Sequence, residues 1–280
     1  MPPDGRNPFQ DGYAGKPDTA WAAALLQSVG HPVVDGLAFP GFPDAALQDG
    51  MHGNQGAVAM QEALAFHAFV RAHVPLGPGR LLDFGCGWGR CLRPFLRDLP
   101  LADLWGFEPN AQWCALARTL NPLVTILSGP PVPDGQLPRQ HFALVIAWSV
   151  FSHLSPVSAA AWLGDLACAV VPGGAFVFTT WGQRFLRRLA VESAQRDRGE
   201  PIDWYSSVCL DAAGPIAARL AAYRRDEFVW FTSGQSTLYG EAFLGRAALA
   251  RLIAQDGLPW AIEAADVTTL SQDGFVLRRL

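Results

Sequence analysis

Short unbroken apolar runs alternate with amphipathic stretches along the central part of this chain. The runs at 80–85, 103–108, 123–127, 142–148 and 175–180 each lead into turn residues or a helical pattern, and read as strands. Continuous apolarity predicts strands buried on both faces, as in a mostly parallel, doubly wound α/β sheet. Ahead of them, a helix is expected from Asp18 or Thr19 to about Ser28, with Gly30 as its stop. A second spans 56–74, with Met60, Leu64, Phe69 and Val70 on its apolar side. Between the two lies the turn-rich Phe39-Pro40-Gly41-Phe42-Pro43. Residues 1–17, rich in Pro, Gly and Asp, predict a poorly ordered tail.

The rhythm breaks at about 183–225, which reads as an insertion. It holds Arg184, Arg187, Arg188, Arg196 and Arg198, then Trp204 and Tyr205, then a helix near 211–223. The runs Glu227–Phe231 and Gly274–Leu277 are expected to pair antiparallel and bring the sheet to seven strands. The expected organisation is a tail over 1–17, a helical N-terminal cap over 18–76, and one domain over 77–280 that carries the insertion.

Composition narrows the class. Half of the 280 residues are apolar and 16% are charged, so a sizeable core is expected. A net charge of −4 supplies no basic field for nucleic acid. No apolar run reaches the roughly 18–20 residues that span a membrane, and Met1-Pro2-Pro3-Asp4-Gly5 has no signal-peptide pattern, so a cytoplasmic protein is expected. The five cysteines include no C-x-x-C pair, which predicts reduced thiols and neither disulfides nor a metal site.

The densest chemistry lies in Arg80-Leu81-Leu82-Asp83-Phe84-Gly85-Cys86-Gly87-Trp88-Gly89-Arg90. Three alternating glycines weaken regular structure and let a ligand approach the main chain closely. Residues 90–97 predict a helix, with Cys91, Leu92, Phe95 and Leu96 inward and Arg90, Arg93 and Arg97 outward. Its N-terminus would favour an anion, and Asp83 would favour a cation. The α-amino-acid end of S-adenosylmethionine carries both signs, whereas a pyrophosphate carries one. Arg90 also stands where a dinucleotide fingerprint has its third glycine, which counts against a nicotinamide or flavin enzyme. Cys86 is expected to fill space in the loop. Glu108, 23 residues past Gly85, is spaced to accept hydrogen bonds from ribose hydroxyls.

Leu82 to Gly89 resembles motif I of the class I S-adenosylmethionine-dependent methyltransferases. Leu104-Trp105-Gly106-Phe107-Glu108-Pro109 is similar to that family's second strand and its ribose-binding acid, and Phe142 to Leu154 is similar to the fourth strand of one subgroup. Val171-Pro172-Gly173-Gly174 resembles the turn into its fifth strand. Similarity to bacterial members extends over roughly 38–280, through Pro40-Gly41-Phe42-Pro43, Tyr239 to Phe243 and Gln272 to Arg278, and is weakest over 183–225. Ser128-Gly129 replaces the acid that many members place for adenine, and Ala143 replaces an Asp.

The resemblance implies a Rossmann-like fold with an antiparallel last strand and an N-terminal helical extension. It implies cofactor contacts at Asp83, Gly85, Cys86, Gly87, Gly89, Glu108, Pro109, Gly129, Trp148 and Ser149. His153 is a candidate base or an orienting residue, with local loop-ordering as the equal alternative. The implied reaction is in-line methyl transfer to an O or N atom of a small-molecule or glycan-type acceptor. No Asn/Asp-Pro-Pro-Tyr/Phe follows strand four, which argues against amino methylation of DNA bases. The rivals are a catalytically silent S-adenosylmethionine-binding regulatory or scaffold protein and a nicotinamide oxidoreductase. Acceptor identity and oligomeric state are not readable from these residues.

Overall fold

The computed structural model describes residues 7–234 and 236–280, apart from the side chain of His52. It divides into two compact units, 1–148 and 149–280.

The first unit opens with α1 (Pro8–Tyr13) and α2 (Asp18–Gln27), then a two-stranded ribbon of β1 (Val33–Val34) and β2 (Leu37–Ala38), then α3 (Ala45–His52) and α4 (Gly56–His73). Helix α1 corrects the expected tail: Asn7 caps it, and Phe9 and Tyr13 are buried against Trp21, with Phe39 also packed on Phe9 and Trp21. An aromatic cluster of this kind buries enough apolar area to order a segment whose composition alone reads as loose. The first six residues of that expected tail lie outside the described residues.

Next come β3 (Arg80–Phe84), β4 (Leu104–Phe107), α5 (Ala111–Leu120), β5 (Thr125–Leu127) and β6 (Phe142–Ala147). These four strands lie in the order β6-β3-β4-β5, all parallel, and Asp83 is in register with Gly106 on one side and Ile146 on the other. Their carboxyl ends therefore come out side by side, where such folds bind ligands.

The second unit begins with α6 (Pro156–Ala169), capped by Ser155 with Pro156 in the first turn, as the sequence implies. It continues through β7 (Val170–Thr180), α7 (Gln183–Asp197), α8 (Trp204–Ala213), α9 (Ile216–Arg224), β8 (Val229–Phe231), β9 (Glu241–Phe243), α10 (Arg246–Gln255), β10 (Trp260–Asp266) and β11 (Asp273–Arg279). Strands β7, β11 and β10 lie in the order β10-β11-β7, with β11 antiparallel to both neighbours. The seven strands are those of a Rossmann-like, doubly wound fold with an antiparallel last strand.

Two expectations are corrected here. The run at 227–231 does not pair with 274–277. It forms a separate ribbon, β8 with β9, and the partner of β11 is β10, whose alternating burial is that of a half-covered edge strand. The single helix near 211–223 is two helices, because Gly214 takes φ +64° and Pro215 cannot continue a helix.

Candidate functional site

All three glycines of the loop after β3 take left-handed backbone conformations: Gly85 φ +74°, Gly87 φ +55° and Gly89 φ +87°. Space reinforces the choice at two of them. A Cβ on Gly87 would come within 2.7 Å of Met51 Sδ, and one on Gly89 within 2.5 Å of Asn121 Nδ2. The loop is fastened from below. The Gly85 and Cys86 N–H groups both donate to the Phe107 carbonyl, at 2.8 and 2.9 Å, and Asn121 Nδ2 donates to the Trp88 carbonyl at 2.8 Å.

The expected helix over 90–97 is absent. A short 3-10 turn covers Arg93–Arg97, with Pro94 near its start. Arg90 and Arg93, placed outward by periodicity, are 5% and 1% exposed. Arg90 donates to the Ala59 carbonyl at 3.0 Å and pairs with Glu62 at 2.9 Å. Arg93 donates to the Pro40 and Gly41 carbonyls and lies between the rings of Phe42 and Trp88. Both cations thus bind the N-terminal segment, and the residues after Gly89 offer no helix N-terminus for an anion.

Asp83, at the end of β3, is buried, and its Oδ2 has no hydrogen-bond partner among the described residues. Burial pushes its pKa up to about 8, with Arg90 pulling down and Glu108 pushing up. Glu108 ends β4. Its Oε2 accepts from the Gly87 N–H at 2.9 Å and its Oε1 from the Asn110 N–H at 2.9 Å. Burial raises its pKa, against the pull of those two amides. Asn110 in turn caps α5 through the amides of Gln112 and Trp113. Cys86 is buried, burial pushes its thiol well up, and its sulfur fills the space over Gly106.

Pro109 is half-buried beside Glu108 in the chain, and Gly129 follows β5 under the side chain of Gln136. The Glu108 N–H donates to the Leu127 carbonyl at 3.1 Å, which sets the ends of β4 and β5 together. Trp148, just past β6, packs on Phe66 of α4 with ring centroids 5.1 Å apart. Sequence reasoning missed Met51, Asn110 and Asn121. The helix cap at Pro109-Asn110 was legible; the contact of Met51 with Gly87 had no local signal.

The other two predicted residues belong to the second unit. Ser149 takes φ +59°, and its N–H donates to Thr179 Oγ1 at 2.8 Å. Its hydroxyl meets Ser152 at 3.0 Å and accepts from Gln272 at 2.8 Å. The His153 ring stacks on Tyr239 at 4.8 Å, and its Nδ1 lies 2.9 Å from the Gly240 carbonyl and 3.7 Å from Glu241 Oε2. A carbonyl only accepts, so Nδ1 carries the hydrogen, and the neutral ring has its lone pair on Nε2.

A family model described as a methyltransferase domain matches residues 59–214, more than half of the chain. The chain belongs to the class I S-adenosylmethionine-dependent methyltransferase family. Within this methyltransferase domain the match takes in β3 to β7 with the glycine loop and Glu108, and the family's cofactor is S-adenosylmethionine. A ubiquinone biosynthesis O-methyltransferase from Bradyrhizobium is 33% identical over 103 residues, 36% of this chain. The matched region spans 39% of that relative's length. An S-adenosylmethionine-dependent methyltransferase from Mesorhizobium loti superposes with TM-score 0.50 at 19% identity, over 77% of this chain and 98% of its own. An amino pentose methyltransferase from Micromonospora echinaspora, solved with S-adenosylmethionine bound, gives TM-score 0.51 at 18% identity, over 85% and 98%. Among the described residues no helix is long and apolar enough to cross a membrane.

Proposed function

We propose that this protein transfers a methyl group from S-adenosylmethionine to an O or N atom of a small-molecule or glycan-type acceptor. The observation that carries the reading is the buried Asp83 carboxyl group, with Oδ2 unpartnered, at the foot of a loop of three left-handed glycines. A buried carboxylate oxygen without a donor is costly, and an ammonium group supplies both donor and charge. The residues present therefore fit the methionine end of the cofactor: Asp83 for its amino group, and the backbone of Gly85, Cys86, Gly87 and Gly89 for close approach. Each Glu108 oxygen keeps lone-pair capacity beyond its one amide bond, which suits it to the two ribose hydroxyls. Pro109, Gly129, Trp148 and Ser149 fall at strand ends and are assigned to the rest of the cofactor.

Bound there, S-adenosylmethionine supplies an electrophilic sulfonium methyl for in-line displacement. The chain's own contribution is placement, since orienting two reactants removes up to about 7–11 kcal/mol of barrier. His153 is assigned as the base: with Nδ1 held by the Gly240 carbonyl, Nε2 is the atom that takes the acceptor's proton.

The test is an acceptor screen with S-adenosylmethionine, read by mass spectrometry as a 14-dalton gain. Cofactor binding with turnover on at least one acceptor supports the reading. Tight binding with no turnover on any acceptor favours the silent cofactor-binding protein.

A further inference from the structure

The insertion after β7 builds a core of its own from α7, α8 and α9 with the β8–β9 ribbon. A cavity of about 250 Å³ opens in it, with Val208, Cys209 and Ala212 of α8 and Phe231 as its apolar side and Thr232, Ser233, Ser236, Tyr239 and Glu241 as its polar side. Pockets for drug-sized molecules run to about 300–1,000 Å³, so this one takes a compact molecule or the end of a larger one. Trp204, one turn before Val208 on the same side of α8, is 77% exposed and extends the apolar strip outward.

Glu241 is the charged group in that lining. Its Oε2 accepts from the Trp181 indole N–H at 2.9 Å and the Tyr205 hydroxyl at 2.7 Å. Both donors are neutral. His153 Nδ1 stands 3.7 Å away but gives its hydrogen to the Gly240 carbonyl. Among the described residues no Lys or Arg pairs with Glu241. Burial raises the pKa of this largely buried carboxylate, while His153, Tyr205 and Trp181 pull it down, so its charge is balanced by one imidazole at 3.7 Å and by neutral donors. A cavity with one apolar side, hydroxyl groups and such a carboxylate is complementary to a cation on an apolar body.

We propose that this cavity binds the ammonium end of a small organic amine, with Glu241 as counter-ion. The amine site stands independently of the methyltransferase reading. Oε2 stays with Trp181 and Tyr205, so the incoming ammonium meets the remaining carboxylate oxygen.

The test titrates the full-length protein with primary amines, butylamine, cyclohexylamine and phenethylamine, each paired with the alcohol of the same skeleton. Binding is read by calorimetry. At least one amine is expected to bind tenfold or more tightly than its alcohol. Glu241→Gln, which keeps an oxygen for Trp181 and Tyr205, is expected to erase that preference. Val208→Trp, which narrows the mouth with Glu241 intact and sits at a partly exposed position, is expected to weaken the amine. Alcohols binding as well as amines, an unchanged preference in Glu241→Gln, or no amine binding overturns the proposal. S-adenosylhomocysteine titrated into the same samples reports the cofactor reading separately. Amine selectivity without it leaves the amine site standing and removes the methyltransferase reading.

Discussion

The carboxylate of Glu108 accepts the Gly87 N–H at 2.9 Å, so the acid at the end of β4 is tied directly to the middle glycine of the loop after β3. This bond fixes where a ribose would lie relative to the loop. Hydrogen bonds to a charged group contribute about 1.5–3 kcal/mol. Glu108→Ala should therefore weaken S-adenosylhomocysteine about 10- to 100-fold in calorimetry. Unchanged affinity would remove the ribose assignment.

Asp83 should make cofactor binding release a proton. Its pKa of about 8 keeps it mostly protonated at pH 7, and an ammonium partner favours the carboxylate. Calorimetry at pH 7 in two buffers of different ionisation enthalpy should show close to one proton released, and Asp83→Asn should show none. The same shift has a stability consequence. The folded state holds this proton between the ordinary pKa of 3.8 and about 8 while the unfolded chain loses it. Stability of the cofactor-free protein should then fall as pH rises through that window, by up to about 1.4 kcal/mol per pH unit. A melting temperature with the same pH slope in Asp83→Asn would contradict this.

Arg93 should matter for stability although the sequence pattern places it on the surface. Arg93→Met keeps the packing between Phe42 and Trp88 but leaves the Pro40 and Gly41 carbonyls without their donor. Denaturant unfolding should show a loss of about 1–3 kcal/mol. A change within about 0.5 kcal/mol, usual for surface positions, would contradict the buried clamp.

For His153, the readout is kcat set against cofactor affinity. A base acts on the chemical step, so His153→Gln should lower kcat about 10²–10⁴-fold and leave S-adenosylhomocysteine binding unchanged. A variant with the parent's kcat would leave His153 only its contacts with Tyr239 and Gly240.

The parallel strands and the glycine loop were legible because their signals are local. Leu81 to Phe84 is apolar apart from one acid, and the glycines occupy positions of positive φ. What escaped the sequence was set by distant partners. Arg90 and Arg93 look solvent-facing by period, yet carbonyls and a carboxylate some 30 to 50 residues earlier take them inside. Tertiary hydrogen bonds of that kind leave no trace in a periodicity. The partner of β11 was misassigned for a similar reason: β10 is half-exposed and its run reads weakly, whereas Val229 to Phe231 looks apolar because it packs into the insertion's separate core. Of the site, Asp83 and Glu108 could be read from type and spacing, while the surroundings of His153 depend on Tyr239 to Glu241, more than 80 residues away.

The most direct measurement is a calorimetric titration of the purified protein with S-adenosylhomocysteine, run beside NADH. The cofactor assignment predicts one S-adenosylhomocysteine per chain, weakened by Asp83→Asn and by Glu108→Ala, and far weaker NADH. NADH binding more tightly than S-adenosylhomocysteine, or S-adenosylhomocysteine binding indifferent to both substitutions, would contradict it.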